Sequence, residues 1–170
     1  GVDSQAILVT TSKELIPQVE KEVQLQLSRL PRMEIAAKAL EGSRLIVVSD
    51  MAEAIEMVNL YAPEHLIIQT QDYRQIAEQI QHAGSVFLGP YSCESAGDYA
   101  SGTNHTLPTN GYAKAYNGVN LDSYMRKVTF QEISRNGLRD LGPVIEVMAA
   151  AEQLDAHKNA VTIRIKELNK

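Results

Sequence analysis

The sequence has little of what marks secreted, membrane and nucleic-acid-binding proteins. Cys93 is its single cysteine, so no internal disulfide can form, which is typical of the reducing cytosol. No apolar run approaches the roughly 18 to 20 residues that a membrane span requires. Positive charge is not in excess, because 16 Lys and Arg oppose 21 Asp and Glu, for a net charge of −5. We therefore expect a cytoplasmic protein that binds neither membranes nor nucleic acids.

Several short motifs of self-contained chemistry are also missing. No GxGxxG, GxxxxGK[ST] or GxSxG is present, which gives no support to a phosphate-binding loop or a hydrolase nucleophile. No CxxC pair or HExxH is present to form a zinc site by itself. The composition, at 44% hydrophobic and 22% charged residues, is that of an ordinary globular chain. A chain of this length can bury its own core.

Short apolar runs alternate with segments of helical periodicity. The predicted strands are 6–10, 44–49, 65–70, 85–88 and 127–133. The predicted helices are 11–30, 33–40, 50–61, 72–81, 138–154 and 158–168, although Val161–Ile163 leaves a strand open in the last. Thr11 with Glu14 and Asp50 with Glu53 form the pattern of capping boxes. Such alternation predicts an α/β fold, with a mostly parallel sheet covered by helices.

Glycine and tyrosine concentrate in one stretch. Six of the ten glycines lie between Gly84 and Gly118, and five of the seven tyrosines lie between Tyr91 and Tyr124. This polar stretch is too long for an ordinary connection, and long ordered loops are usually functional. Its candidate polar residues are Glu94, Asp98, Asn104 and His105, with neighbouring hydroxyls.

Glu64 and His65 follow Pro63 at the start of a predicted strand. A carboxylate beside an imidazole can move protons near neutral pH. Successive strand residues point to opposite faces, so both can serve one site only at the irregular entry to the strand. By spacing alone, a surface Glu and a packed His are the commoner arrangement, as are solvated helix ends for Glu152 and His157.

Two segments closely resemble the histidinol dehydrogenase family: residues 62–66 (APEHL) and 94–105 (ESAGDYASGTNH). Matches at 3–5, 84–89, 149–152 and 156–161 extend the resemblance over nearly the whole chain. The resemblance implies a Rossmann-like body in residues 4–117 and a smaller helical or extended module in 118–170 that is exchanged between the subunits of a homodimer. Because family members are much longer, we expect this chain to be their C-terminal portion.

The resemblance also implies an activity. Family members oxidise L-histidinol to L-histidine in two NAD-dependent steps through an aldehyde, with a bound zinc. Glu64 and His65 match the acid/base pair: His65 would take the alcohol proton and Glu64 would activate water for the second oxidation. Asp98 and His157 match two zinc ligands. The residues implied to contact substrate are His65, Asp98, His105, Glu152 and His157.

The family places other parts of the site upstream of the residue that matches Gly1. These parts are two further zinc ligands, a glutamine and a histidine, and most of the NAD contacts, so no residue here is assigned to the dinucleotide. We therefore expect the isolated chain to be inactive. Cys93 and Val2 stand where the family usually has proline, and we expect Cys93 to be a tolerated substitution.

Two alternatives to an enzyme remain open. A non-catalytic dimerisation or metal-binding module could keep the family's tail for assembly alone, although such a module would have no reason to retain both Glu64 and His65. A basic interaction module could use the tail cations, but four cations on an acidic chain are more typical of a solvated helix face. Those cations are Lys158, Arg164, Lys166 and Lys170.

Overall fold

The computed structural model describes residues 1–168, which form two compact units that divide between Met125 and Arg126. The division that the resemblance implies, after residue 117, stays a prediction. The first unit contains β1 (Ile7–Thr10), α1 (Leu15–Leu27), α2 (Met33–Gly42), β2 (Arg44–Val47), α3 (Met51–Tyr61), β3 (His65–Ile68), α4 (Tyr73–Ala77), β4 (Ser85–Leu88), α5 (Glu94–Tyr99) and two 3-10 turns, Tyr112–Lys114 and Leu121–Tyr124. The second contains α6 (Arg135–Ala151) and α7 (Asp155–Leu168).

The strands pair in parallel, as their alternation with helices predicts. β1 pairs with β2, with Ile7 opposite Arg44, and β3 pairs with β4, with His65 opposite Ser85. These are two separate two-stranded sheets, whereas we expected a single one. The order of strands and helices along the chain does not determine which strands pair. The sequence therefore could not distinguish a single sheet from two two-stranded sheets.

The core of the first unit is apolar and small. Among the described residues, no polar or charged side chain is fully buried. The buried apolar side chains of this unit come from β3 and β4, from the residues just after β2 and α3, and from the inner faces of α3 and α4: Val48, Ala54, Ala62, Ile68, Ile76 and Phe87. No described helix combines the length and apolar character needed to cross a membrane.

The predicted capping box at Thr11 does not form, because α1 begins later, at Leu15. A helix that began after Thr11 would place Pro17 in its interior, where proline has no N–H to donate and its ring clashes with the preceding turn. The later start leaves Pro17 in the first turn, where that N–H is not needed. Ser12 instead donates its hydroxyl to Glu14, over 3.0 Å.

The capping prediction at α3 is confirmed at Asp50 and shifted by one residue at Glu53. The Asp50 carboxylate accepts from the Glu53 N–H, over 2.9 Å. The Glu53 carboxylate accepts from the N–H and the hydroxyl of Ser49, both over 2.7 Å, rather than from Asp50. These two hydrogen bonds, the backbone one first, lower the pKa of Glu53 below its ordinary value.

The glycine-rich stretch, which the sequence predicts as a long ordered loop, contains a short helix, α5. Gly97 is buried in α5 against β4, and a Cβ at this position would lie 2.7 Å from Cε1 and 2.9 Å from Cζ of Phe87. The Thr103 hydroxyl donates to the Gly97 carbonyl over 3.2 Å and ties the following loop to the helix. The missing side chain of Gly97 therefore permits the contact between α5 and β4.

Two predictions for the tail are corrected. No strand forms over 127–133: the backbone there is irregular, and Val128 and Phe130 are 68% and 94% exposed. An extended segment becomes a strand only when another strand takes up its N–H and C=O groups, and no described strand does so here. The strand alternative at Val161–Ile163 is wrong, because these residues lie within α7.

In the second unit, α6 and α7 form an antiparallel helix pair that is held by close packing and a few polar contacts. Gly142 of α6 faces Val161 and Ile165 of α7, and a Cβ at Gly142 would overlap the Ile165 side chain. The Thr162 hydroxyl donates to the Glu146 carboxylate. The tail cations at 158, 164 and 166 are exposed on α7, as a solvated face requires, and Lys170 lies outside the described residues.

We predict that Asp50→Ala lowers the free energy of unfolding by about 1 kcal/mol, since it removes the acceptor for the Glu53 N–H at the start of α3. Urea denaturation followed by far-UV circular dichroism measures the change. Glu56→Ala is the matched control, because Glu56 is exposed within α3 and makes no cap. An equal effect of the two substitutions would contradict the capping role.

We predict that Gly97→Ala lowers the free energy of unfolding by about 1 to 3 kcal/mol, since the added methyl overlaps the Phe87 ring and must displace α5. Gly42→Ala is the matched control, because Gly42 ends α2 and a Cβ there meets nothing within 4 Å. The control should gain up to about 1 kcal/mol from helix propensity alone. The same urea titration reads both variants, and a gain in both would contradict the close approach of α5 to β4.

Candidate active site

The backbone of Glu64 lies in a bend at the entry to β3 and is fixed from β4. Its carbonyl accepts from the Ser85 N–H, and the Pro63 carbonyl accepts from the Gly84 N–H, both over 2.9 Å. A Cβ at Gly84 would lie 2.5 Å from the Glu64 carbonyl oxygen, so this approach requires glycine. Glu64 therefore occupies an irregular position just before the strand, which is the condition under which Glu64 and His65 can serve one site.

His65 is the first residue of β3 and packs against β4. Its ring lies 6.0 Å from that of Phe87, centroid to centroid, at an interplanar angle of 30°. The side chain is 26% exposed, but its Nε2 is hidden from solvent and makes no hydrogen bond to any described residue. The Glu94 Oε1 atom is 4.0 Å from this nitrogen, which is longer than a hydrogen bond.

Two carboxylates of α5 face this imidazole. Glu94 and Asp98 are four residues apart, so they share one face of the helix. One ligand atom from each of His65, Glu94 and Asp98 can be chosen so that all three lie within 4.8 Å of one another. β3 and α5 thus bring together side chains that are far apart in the sequence.

The electrostatics of the cluster are those of crowded acids. Partial burial raises the pKa of the Glu94 carboxyl above its ordinary value, and the hydrogen bond to Asp98 raises it further. The negative charges of Asp98 and Glu64 act in the same direction, whereas His65 lowers this pKa. Because like charges at short range disfavour each other, the cluster favours a cation: a proton, a metal ion or an ammonium group.

The donor atoms of this cluster suit a metal ion of intermediate hard–soft character. An imidazole nitrogen with carboxylate oxygens is a combination that Zn²⁺ accepts. Of the two residues that the resemblance implies as zinc ligands, Asp98 belongs to this cluster. His157 lies on α7 in the second unit, where it is exposed.

The remaining predicted residues lie outside this cluster. His105 is exposed in the loop after α5, and Glu152 is exposed at the C-terminal end of α6. The structure brings together His65, Asp98 and Glu94, and the roles of all predicted site residues stay predictions. Glu94 received no role from the sequence; its four-residue spacing from Asp98 was the available signal, but it is informative only once a helix is known there.

This chain resembles known proteins of one enzyme family. The profile of the histidinol dehydrogenase family matches residues 1–165. The histidinol dehydrogenase of Bacteroides fragilis is 66% identical over 170 residues, which are 100% of this chain and 40% of that protein. That of Campylobacter jejuni is 52% identical over 168 residues, which are 99% of this chain and 39% of that protein.

A solved structure shows the same fold. The crystal structure of histidinol dehydrogenase from Elizabethkingia anophelis matches with a TM-score of 0.94 and 54% sequence identity, over 100% of this chain and 39% of that one. The chain therefore spans about two fifths of the length of the relatives it matches. With matches of this extent in sequence and in structure, the chain belongs to the histidinol dehydrogenase family.

Proposed function

We propose that this chain is the C-terminal portion of a cytoplasmic, zinc- and NAD-dependent L-histidinol dehydrogenase of histidine biosynthesis. The observation that carries the proposal is the convergence of His65, from β3, and Asp98, from α5, on one half-buried spot. A proton acceptor and a potential metal ligand are thereby placed side by side. The membership in the family supplies the substrate and the reaction.

In this proposal, His65 and Glu64 handle the protons of two successive oxidations. Bound NAD⁺ would supply the hydride acceptor for both steps. His65 takes the hydroxyl proton of L-histidinol as the alcohol becomes histidinaldehyde. Glu64 then takes a proton from the water that adds to the aldehyde, and the hydrate is oxidised to L-histidine. The irregular backbone at Glu64 allows both side chains to reach one substrate.

Zinc, when bound, holds the imidazole and amino groups of the substrate. Asp98 suits this role because it is half-buried and adjacent to the proposed base. We propose His157 as a second ligand, and we propose that two more ligands come from a part of the protein outside this chain. Glu152 can pair by charge with the cationic amine of L-histidinol, and His105 is proposed as a further substrate contact.

We propose that α6 and α7 are exchanged between the subunits of a homodimer, so that His157 and Glu152 complete the partner's site. The helix pair is a compact unit by itself, so it can be exchanged as one piece. α6 also leaves large apolar side chains exposed: Leu141, Val144, Val147 and Met148. Burial of such a face in a subunit interface would remove apolar area from water.

We predict that the chain by itself produces no NADH from L-histidinol and NAD⁺, since it supplies only part of the zinc ligands and dinucleotide contacts. The active comparison is a chimera in which this chain replaces the matching 40% of the Bacteroides fragilis protein. NADH absorbance measures both. Turnover by the isolated chain would contradict the idea that the site is divided, and an inactive but folded chimera would contradict the proposed function.

We predict that variants of the acid/base pair separate the two oxidations in the chimera. His65→Asn should lower the rate of alcohol oxidation by about 10²- to 10⁴-fold, the usual contribution of a general base. Glu64→Gln should spare that step and slow the oxidation of added histidinaldehyde. NADH formation from each substrate is the measurement.

His82→Asn is the matched control for these variants, because His82 lies outside the cluster, between α4 and β4. It should leave both oxidations unchanged. Equal losses of both steps in His65→Asn and Glu64→Gln would show that the two residues do not have the separate roles proposed.

A further inference from the structure

The structure assigns a role to Glu94, and this inference rests on the proposed function. We propose that Glu94 is a positioning residue for His65: its carboxylate accepts the hydrogen of Nε2 and leaves Nδ1 as the nitrogen that takes the substrate proton. The carboxylate would act on the reaction only through the imidazole. No contact between Glu94 and the substrate is required.

The surroundings of His65 Nε2 favour a nearby hydrogen-bond acceptor. This nitrogen is hidden from solvent and makes no hydrogen bond to a described residue. A buried donor without a partner is energetically costly, so an acceptor is expected nearby. Of the two carboxylates in the cluster, Glu94 is the one found within 4.0 Å of a His65 nitrogen in the described part of the chain.

The same aromatic ring, that of Phe87, holds both His65 and the helix that carries Glu94. Phe87 packs against the imidazole of His65 on one side. It also contacts the backbone of α5 at Gly97, three residues after Glu94. The separation of Nε2 and Oε1 is therefore set by two contacts with one buried side chain. At 4.0 Å the carboxylate already favours a hydrogen on Nε2 through its charge, and a shortening of about 1 Å when substrate binds would turn this contact into a hydrogen bond.

The tautomer of the His65 imidazole decides which of its nitrogens can act as a base. A neutral imidazole carries one hydrogen on either nitrogen, and only the other nitrogen can act as a base. A carboxylate beside one nitrogen selects which tautomer forms and stabilises the imidazolium that results from proton uptake. Without Glu94, part of the His65 population would carry its hydrogen on the nitrogen that must accept the proton.

The two carboxylates of α5 then have separate tasks. Glu94, in the first turn, faces His65, and Asp98, one turn later, remains available to a metal ion. Their spacing of four residues on one short helix holds them one turn apart. A cluster with three possible ligands thus divides into one positioning carboxylate and one ligand.

The tautomer of His65 can be read in the chain itself, whether or not it is active. With ¹⁵N-labelled histidine at a pH where imidazole is neutral, long-range ¹H–¹⁵N spectra should show the hydrogen of His65 on Nε2. His65→Asn assigns the signal among the four histidines. Glu94→Ala should shift the population toward Nδ1–H, Glu94→Gln should keep Nε2–H through its amide oxygen, and Glu78→Ala, on an exposed residue of the same unit, should change nothing. An unchanged tautomer in Glu94→Ala would overturn the proposal.

The kinetic test uses the chimera. Glu94→Ala should lower kcat for alcohol oxidation by about 10²-fold with little change in KM, because the base is misoriented while the substrate still binds. Glu94→Gln should recover most of this loss. Equal losses in Glu94→Ala and Glu94→Gln, or a lower Zn²⁺ affinity without a change of tautomer, would overturn the proposal, the latter by showing that Glu94 is a metal ligand. If the unsubstituted chimera is inactive, the proposed function fails, and the spectra still decide whether Glu94 positions His65.

Discussion

The packing of one aromatic ring, that of Phe87, is the constraint on which the candidate site depends. The ring lies in the small core of the first unit, beside His65 and against the backbone of α5 at Gly97. Apolar burial does not by itself orient a helix. The contact at Gly97 does orient α5, since only one close approach of the helix to the Phe87 ring is possible. The carboxylates of α5 are oriented toward the imidazole by a contact that is itself entirely apolar.

This arrangement explains how acids can be crowded beside a histidine in a structure of modest core. Packing of α5 against β4 offsets the repulsion between Glu94 and Asp98, a repulsion that also raises the pKa of the Glu94 carboxyl. A cation that binds there relieves the remaining repulsion between the carboxylates, and this relief adds to its affinity. The site is therefore complementary to positive charge before any ligand arrives, which agrees with the cationic substrate and the metal of the proposed reaction.

The sequence predicted local features where one residue decides the outcome, and it failed where the outcome depends on distant neighbours. The proline after α3, the Asp50 cap and the strand at His65 all follow from short-range chemistry, and all are present. Pro17 is also a local signal, and its effect on the start of α1 outweighs the Thr11 capping pattern. Pairing of the strands into one sheet and a strand near Phe130 could not be decided locally, because both depend on partners elsewhere in the fold. The residue types of the cluster at His65 could be predicted from the sequence. That Glu94 belongs to the cluster could not, because this depends on where α5 lies in three dimensions.

The length of α5 has a thermodynamic consequence. A helix of six residues, Glu94–Tyr99, is too short to persist alone in water, so it exists only while it rests on β4. Any cation that binds its two carboxylates then binds only the folded segment, and ordering of the segment and affinity for the ion become a single equilibrium. Loosening of the contact between Gly97 and the Phe87 ring would therefore weaken cation binding, although no ligating atom is altered.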